Sequence, residues 1–377
     1  MSQLPFQRLS VRAFSAFGRW LEGLRTWIRA RPAWAAWFYP DAAAANQSRY
    51  RAFNGWYFAH FSEQERMLAD RPRMAFYHAA IARHIQPGDR VVDLGTGTGI
   101  LAALAARRGA AKVYAIDHST ILKHAKTLAA HNRVENVEFI ATHSREFKAD
   151  GPVDVILHEQ MGDCLFDEEM VANVCDLRER MLRPGGLILP SRFEFFCEPV
   201  SLRAERQVPF LWELNVHGYD YSCLEWHRPQ EPGYYRLQGG DLGLVDHFLG
   251  EPEPAFEIDL HTVTEAGLPT EIRLSRTVMR PGPLDGFAVY FRARVDGDLA
   301  LSSSPLDPGR APHWGFRILR AAREDLRRDD VIELRLQVGR WPDLDSWRWS
   351  HQTRPAEKPE PGEALGSKPA GSAEVPR

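Results

Sequence analysis

Val91-Val-Asp-Leu-Gly-Thr-Gly-Thr-Gly99 reads as a buried strand that passes, after Asp93 and Leu94, into a turn with glycines at 95, 97 and 99. Ile100 to Arg108 behind it has the length and apolar content of a helix, so strand, glycine turn and helix follow in succession. Such glycines let the backbone approach a ligand closely. Ile100 stands where a dinucleotide fingerprint needs its third glycine, which weakens an NAD reading. Working outward, Arg90 to Leu94, Lys112 to Ile116, Val137 to Ile140, Val153 to Leu157 and Gly186 to Leu189 read as strands. Helices are expected from about Glu63 to Ile85, from Thr120 to Asn132 and from Met170 to Leu182. Strands separated by helices predict an α/β fold with a parallel, doubly wound sheet. Asp117 closes the second strand, the place where such folds accept hydrogen bonds from ribose hydroxyls.

Downstream, His158-Glu-Gln-Met-Gly-Asp-Cys-Leu-Phe-Asp-Glu-Glu-Met170 sets Glu159 and Glu168 on one loop. Two carboxylates so placed suit a guanidinium, which is planar, keeps its charge and carries five N–H donors in a fixed fork. A glycine turn followed by a carboxylate pair points to a cofactor-dependent reaction on arginine.

After Pro190 the pattern changes to strands alone: Phe193 to Glu198, Phe256 to Val263, Ile272 to Met279, Gly286 to Val295, Gly315 to Leu319 and Val331 to Val338. Gly and Pro turns separate them, which predicts a β-sandwich or barrel. The length of 377 residues and the 44% hydrophobic content fit two packed units. A formal net charge of -3 hides an asymmetry, because residues 1 to 40 hold Arg8, Arg12, Arg19, Arg25, Arg29 and Arg31 against Glu22 alone. The acidic remainder argues against direct nucleic-acid binding and for a cationic substrate. Residues 6 to 30 read as an amphipathic helix, either packed on protein or binding an anionic membrane surface or a partner. Cys164, Cys175, Cys197 and Cys223 show no metal or disulfide spacing, and no apolar run is long enough to span a membrane. The N-terminus lacks a secretory core, so a cytoplasmic protein is expected. Residues 351–377 are expected to form a disordered tail rich in Pro, Glu, Ala, Ser and Gly.

The Asp-x-Gly-x-Gly-x-Gly strand end resembles the first motif of class I S-adenosylmethionine-dependent methyltransferases. The glutamate loop then resembles that of protein arginine N-methyltransferases, approximately Ser-Glu-x-Met-Gly-x-x-Leu-x-x-Glu-x-Met, with Glu159, Met161, Gly162, Leu165, Glu168 and Met170 in place. Phe58-Ala-His-Phe61 with Met67, Asp70 and Arg73 is similar to the family's helical lid over the cofactor. Trp212 to Cys223 resembles its dimerisation arm, Phe287 to Phe291 with Ser302 to Pro305 its barrel, and Pro312-His-Trp314 its Thr-His-Trp loop.

The resemblance implies a Rossmann-like domain over 49–190, after a basic extension over 1–48, and a β-barrel domain over 191–350 with a helical arm near 205–230. It implies S-adenosylmethionine as cofactor, held by Arg73, Asp93, Gly95, Gly97, Gly99, Asp117, Glu146 and Met67. It implies catalysis by Glu159, Glu168, His313 and Asp70, with no metal, and acceptor contacts from Met170, Asp163 and Trp314. Arginine in a protein or peptide is the implied substrate, asymmetric dimethylation the product, and a homodimer the assembly. Gln160 and Asp163 depart from the family's usual Trp or Pro and Tyr, and Glu146 falls one place late for the acid that holds adenine. Asp163 is expected to add a third negative group to the acceptor site. Two alternatives stay open: a small or modified guanidine or amine as acceptor, and a non-catalytic cofactor-binding module.

Overall fold

The computed structural model describes residues 54–239 and 243–356; the helix expected over 6–30, the extension 1–48 as far as residue 53, and the tail beyond 356 lie outside the described residues. The chain forms two compact units. The described part of the smaller comprises residues 54–64 with Ser119–Ile121. Within it the Gln64 amide donates to the Phe58 carbonyl, and the Trp56 and His60 rings meet edge-on at 4.5 Å.

The larger unit carries the sheets. Helix α1 (Phe61–Ala69), whose first residues to Gln64 belong to the smaller unit, and α2 (Arg71–His84) replace the single helix expected from Glu63 to Ile85. Asp70 leaves helical geometry and caps α2, with Pro72 in its first turn, where a missing N–H costs nothing. There follow β1 (Arg90–Leu94), α3 (Ile100–Arg107), β2 (Lys112–Asp117), α4 (Leu122–His131), β3 (Val137–Ala141), β4 (Val153–His158), α5 (Met170–Met181) and β5 (Leu182–Leu189). The strands pair in parallel in the order β3-β2-β1-β4-β5, and β1, β2 and β4 are buried along nearly their whole length. The chain runs outward from β1 through β2 to β3, then crosses to β4 on the other side. The strand order therefore reverses between β1 and β4, and a ligand crevice belongs at their carboxyl ends. Leu94 pairs with His158, so the glycine turn and the glutamate loop start side by side.

Beyond Pro190 the strands are antiparallel. Arg192–Leu202, Gly282–Arg294 and Phe316–Leu326 are central to a seven-stranded sheet; Glu271–Thr277, Val331–Val338 and Trp347–Arg354 form a second sheet of three. The region is barrel-like but does not close into a barrel among the described residues. The last strand also runs through residues expected to be tail, Trp347 buried and the positions after it alternating between exposed and half-buried. Phe166, Phe195, Phe256, Trp341 and Trp347 pack ring on ring, with Phe166 and Trp341 centroids 4.5 Å apart. Phe166 belongs to the glutamate loop, so this core anchors the loop. The arm expected to be helical consists of short 3-10 turns (Leu211–Glu213, Ser222–His227) around a two-residue hairpin, Asn215–Val216 with Tyr219–Asp220. Gly218, at φ 88°, makes its tight turn.

Candidate active site

The turn after β1 is built from left-handed backbone: φ is 74° at Gly95, 54° at Gly97 and 83° at Gly99. A Cβ at Gly99 would lie 3.0 Å from the Phe139 ring. The Gly97 N–H donates to Asp117 Oδ2 at 2.9 Å, so the acid at the end of β2 steadies the turn. Asp93 Oδ2 accepts from the Thr96 hydroxyl and from the Ala102 N–H at 3.0 Å. Its Oδ1 is buried with no partner. Burial raises the Asp93 carboxyl to about 6 against the pull of those hydrogen bonds. A buried acceptor without a partner, next to a glycine turn, fits a ligand with a cationic N–H group, such as the amino group of S-adenosylmethionine. Glu146 sits exposed on the short turn Ser144–Glu146, while Arg145 beside it reaches Asn173 Oδ1 at 3.3 Å.

Arg73 approaches the same crevice from α2. Its Nη1 donates to the Met67 carbonyl at 2.8 Å and its Nη2 to Glu159 Oε2 at 2.9 Å, while its Nε is buried without a partner. Tyr77, one turn further on and fully buried, donates its hydroxyl to the His158 carbonyl at 3.0 Å. It thereby fixes the peptide leading into Glu159. The sequence reading missed Tyr77; its one signal is the four-residue spacing from Arg73, which places both on one helix face.

The loop from Glu159 to Met170 is a constrained reversal. Gly162 faces the Asp167 carboxylate so closely that a Cβ would lie 2.0 Å from Asp167 Oδ1. Leu165 at φ 69° and Glu169 at φ 56° hold conformations that side chains disfavour. Contacts from the antiparallel sheets sustain them. The Trp314 indole donates to the Met161 carbonyl, Glu169 pairs with Arg340 at 2.6 Å, and Phe166 lies in the aromatic core. Trp314 is thus a buried strut of the loop. Asp163 receives the Gly315 N–H at 2.7 Å and Arg317 Nη1 at 2.8 Å, so its charge is already matched and it is no free third negative group. Met170 is buried at the start of α5.

Both glutamates titrate high. Burial raises Glu159, with the Arg73 ion pair opposing; burial raises Glu168 further, reinforced by Glu159, Asp167 and Asp163. His313 meets Asp70 through its main chain, the N–H donating to Asp70 Oδ2 at 2.8 Å, while Asp70 Oδ1 caps Arg73 at 3.0 Å. One carboxylate therefore ties the loop at 312–314 to the start of α2. Burial, with Arg73 and Arg66 nearby, depresses the His313 imidazole to about 3, which makes it neutral at ordinary pH and a weak base.

Comparison with known proteins agrees with this architecture. A family model described as a methyltransferase domain matches residues 91–186. "Probable protein arginine N-methyltransferase 6.1" of Oryza sativa subsp. indica is 30% identical over 309 residues, 78% of this chain and 76% of its own length. "Probable protein arginine N-methyltransferase 6" of Arabidopsis thaliana is 35% identical over 259 residues, 66% of this chain and 57% of its own length, so the match spans little more than half of that relative. Among solved structures, Arabidopsis thaliana protein arginine methyltransferase 10 superposes with a TM-score of 0.66 over 80% of this chain and 99% of its own, at 22% identity. The Trypanosoma brucei PRMT1 enzyme–prozyme complex with AdoHcy gives 0.64 over 74% of this chain and 88% of its own, at 23% identity. These structures establish the fold, and the sequence relatives, aligned over most of both chains, establish the family. The chain belongs to the protein arginine N-methyltransferase family and is an S-adenosylmethionine-dependent methyltransferase.

Proposed function

We propose that this protein transfers a methyl group from S-adenosylmethionine to a guanidinium nitrogen of arginine in protein substrates, with Glu159 and Glu168 as the clamp. The observation that carries the reading is the pair of half-buried carboxylates, both raised by desolvation, on the loop that starts beside the glycine turn at the crossover of the sheet. Asp93, Asp117, Gly95, Gly97 and Gly99 would hold the cofactor, Arg73 its carboxylate, and Met67 its surroundings. When bound, the cofactor supplies an electrophilic methyl on a cationic sulfur.

The protein's own residues then do three things. Glu159, fixed by Arg73 and by the Met161 N–H, takes one edge of the substrate guanidinium. Glu168 takes another edge; the arriving cation lowers its raised pKa and leaves it ionised. Methylation of the guanidinium would release one proton, and Glu168 would accept it. His313 acts through its main chain and its burial, not as the principal base. Rigid alignment and a low-dielectric crevice account for most of the rate.

With Asp163 matched by Arg317, the motive for a small-molecule acceptor weakens. Met67 and Met170 shape the space around the acceptor nitrogen in a manner suited to asymmetric dimethylation. A homodimer through the arm fits its exposed apolar residues, with Tyr219 75% and Trp226 92% accessible in the single chain. No described helix is long and apolar enough to cross a membrane; a cytoplasmic location and a membrane or partner role for residues 1–40 remain proposals. A division at Pro190 would separate a cofactor domain from a substrate domain, both within the larger compact unit. The test is labelled methyl transfer to arginine-rich peptides followed by hydrolysis and amino-acid analysis. Label in dimethylarginine is expected; label confined to small guanidines, or none despite cofactor binding, would overturn the reading.

A further inference from the structure

The reversal joining the two clamp glutamates is held at its tip by a residue outside the clamp. Asp163 lies between Glu159 and Glu168, next to Gly162, which bridges to Leu165 across the turn. Its two oxygens point at different partners, Gly315 N–H at 2.7 Å and Arg317 Nη1 at 2.8 Å. Arg317 stands on Phe316–Leu326, an interior strand of the seven-stranded sheet, flanked by Gly282–Arg294 and Arg236–Gly239. The side chains are 17% and 23% accessible, so water screens the pair only partly. Asp167, on the descending limb, accepts the Cys164 N–H at 3.0 Å, and the Arg317 cation faces Asp163, Asp167 and Cys164 together.

Two charge-assisted bonds in different directions stop the tip from sliding or rotating. The Trp314 indole fixes only the ascending limb, at Met161. We propose that Asp163 and Arg317 form a positioning pair that sets the spacing and orientation of Glu159 and Glu168, and hence how precisely a substrate guanidinium is held. The inference rests on the clamp reading above. It also assigns a role to Asp163, which stands where the family has tyrosine.

The pair acts electrically as well as mechanically. The charges facing Glu168 are Glu159 at the end of β4, Asp163 and Asp167 from its own loop, and Arg73 from α2. Neutralising Asp163 removes a negative neighbour, so Glu168 ionises more readily. Neutralising Arg317 leaves Asp163 uncompensated, so Glu168 ionises less readily. The two substitutions must therefore move the acid limb of the pH profile in opposite directions. Loss of structural support alone would not do so.

The test compares Asp163→Asn, Arg317→Gln and the double variant in the full chain, with S-adenosylmethionine and an arginine-rich peptide, over about pH 6 to 9. Each single variant is expected to lower kcat/KM for the peptide by about tenfold or more, with cofactor affinity by calorimetry nearly unchanged. The double variant should be no worse than the worse single, the mark of residues acting as one unit. The acid limb should move to lower pH in Asp163→Asn and to higher pH in Arg317→Gln. Kinetics like the parent's, or activity lost in step with melting temperature while the limb stays fixed, would overturn the positioning role. The Glu159→Gln and Glu168→Gln variants run alongside: turnover surviving in them removes the clamp and the proposal with it, whereas inactive clamp variants beside normal Asp163 and Arg317 variants remove the positioning pair alone.

Discussion

Removal of Asp70 should be costly, because one carboxylate both caps a helix and ties it to the loop at 312–314. Its carboxylate is buried, and each oxygen accepts one main-chain N–H: Arg73 at 3.0 Å, as the cap of α2, and His313 at 2.8 Å, across to the antiparallel half. Asp70→Ala removes both acceptors. Loss of a helix cap costs about 1 kcal/mol, and a buried N–H left without a partner costs about 1–3 kcal/mol more. The sum is about 2–4 kcal/mol. For a cooperative unit of about 300 residues, with an unfolding entropy of about 2 cal/mol/K per residue, that lowers Tm by about 3–7 °C. Asp70→Asn keeps one acceptor oxygen and turns an amide N–H₂ toward the other donor, so it should recover only part of the loss. Differential scanning calorimetry on the three proteins reads the Tm, and calorimetric titration with S-adenosylmethionine reads whether Arg73 has been displaced with its cap. An Asp70→Ala protein that melts within about 1 °C of the parent and binds cofactor normally would refute the reasoning.

Glu168 gives a pH prediction. Its folded pKa lies above its ordinary value near 4.5, so it contributes stability below about pH 4.5 that is lost as pH rises through the folded pKa. Glu168→Gln should therefore raise Tm at neutral and alkaline pH, with little change near pH 4; thermal melts across that range check it, and a Tm unchanged at pH 8 contradicts it. Gly162→Ala should abolish turnover and lower Tm, because its Cβ would enter the Asp167 carboxylate; a variant retaining about half the parent rate would count against the packed loop. Asp93→Asn keeps one oxygen acceptor but loses the charge proposed to meet the cofactor amino group; affinity should fall about tenfold or more, read by calorimetry, and unchanged binding would remove Asp93 from the site.

Local pattern made half of this molecule readable. β1 and its glycine turn, the parallel strands and the glutamate loop all follow from apolar runs and glycine spacing that depend on near neighbours. The break at Asp70 was hidden because Glu63 to Ile85 keeps a helical composition throughout, and Pro72 is compatible with a first turn. The strand Trp347–Arg354 escapes a reading from sequence because its exposed positions are polar and only alternate ones face the core. The two-sheet arrangement depends on pairings such as Phe195 with Phe291, far apart in sequence. The same holds at the site: Glu159, Glu168 and Arg73 sit in recognisable motifs, whereas Tyr77 under His158 and Arg317 on Asp163 meet only after folding. Asp163 read alone is a spare acid, and its partner 154 residues away decides its role.

The most direct test of the central claim is to measure cofactor binding and methyl transfer on one sample of the Glu159→Gln, Glu168→Gln double variant. The account predicts that S-adenosylmethionine still binds, since neither side chain belongs to the glycine turn and Glu159 meets the cofactor's site only through Arg73, with no label transferred to arginine peptide. Methylarginine formed at a rate near the parent's would contradict the clamp.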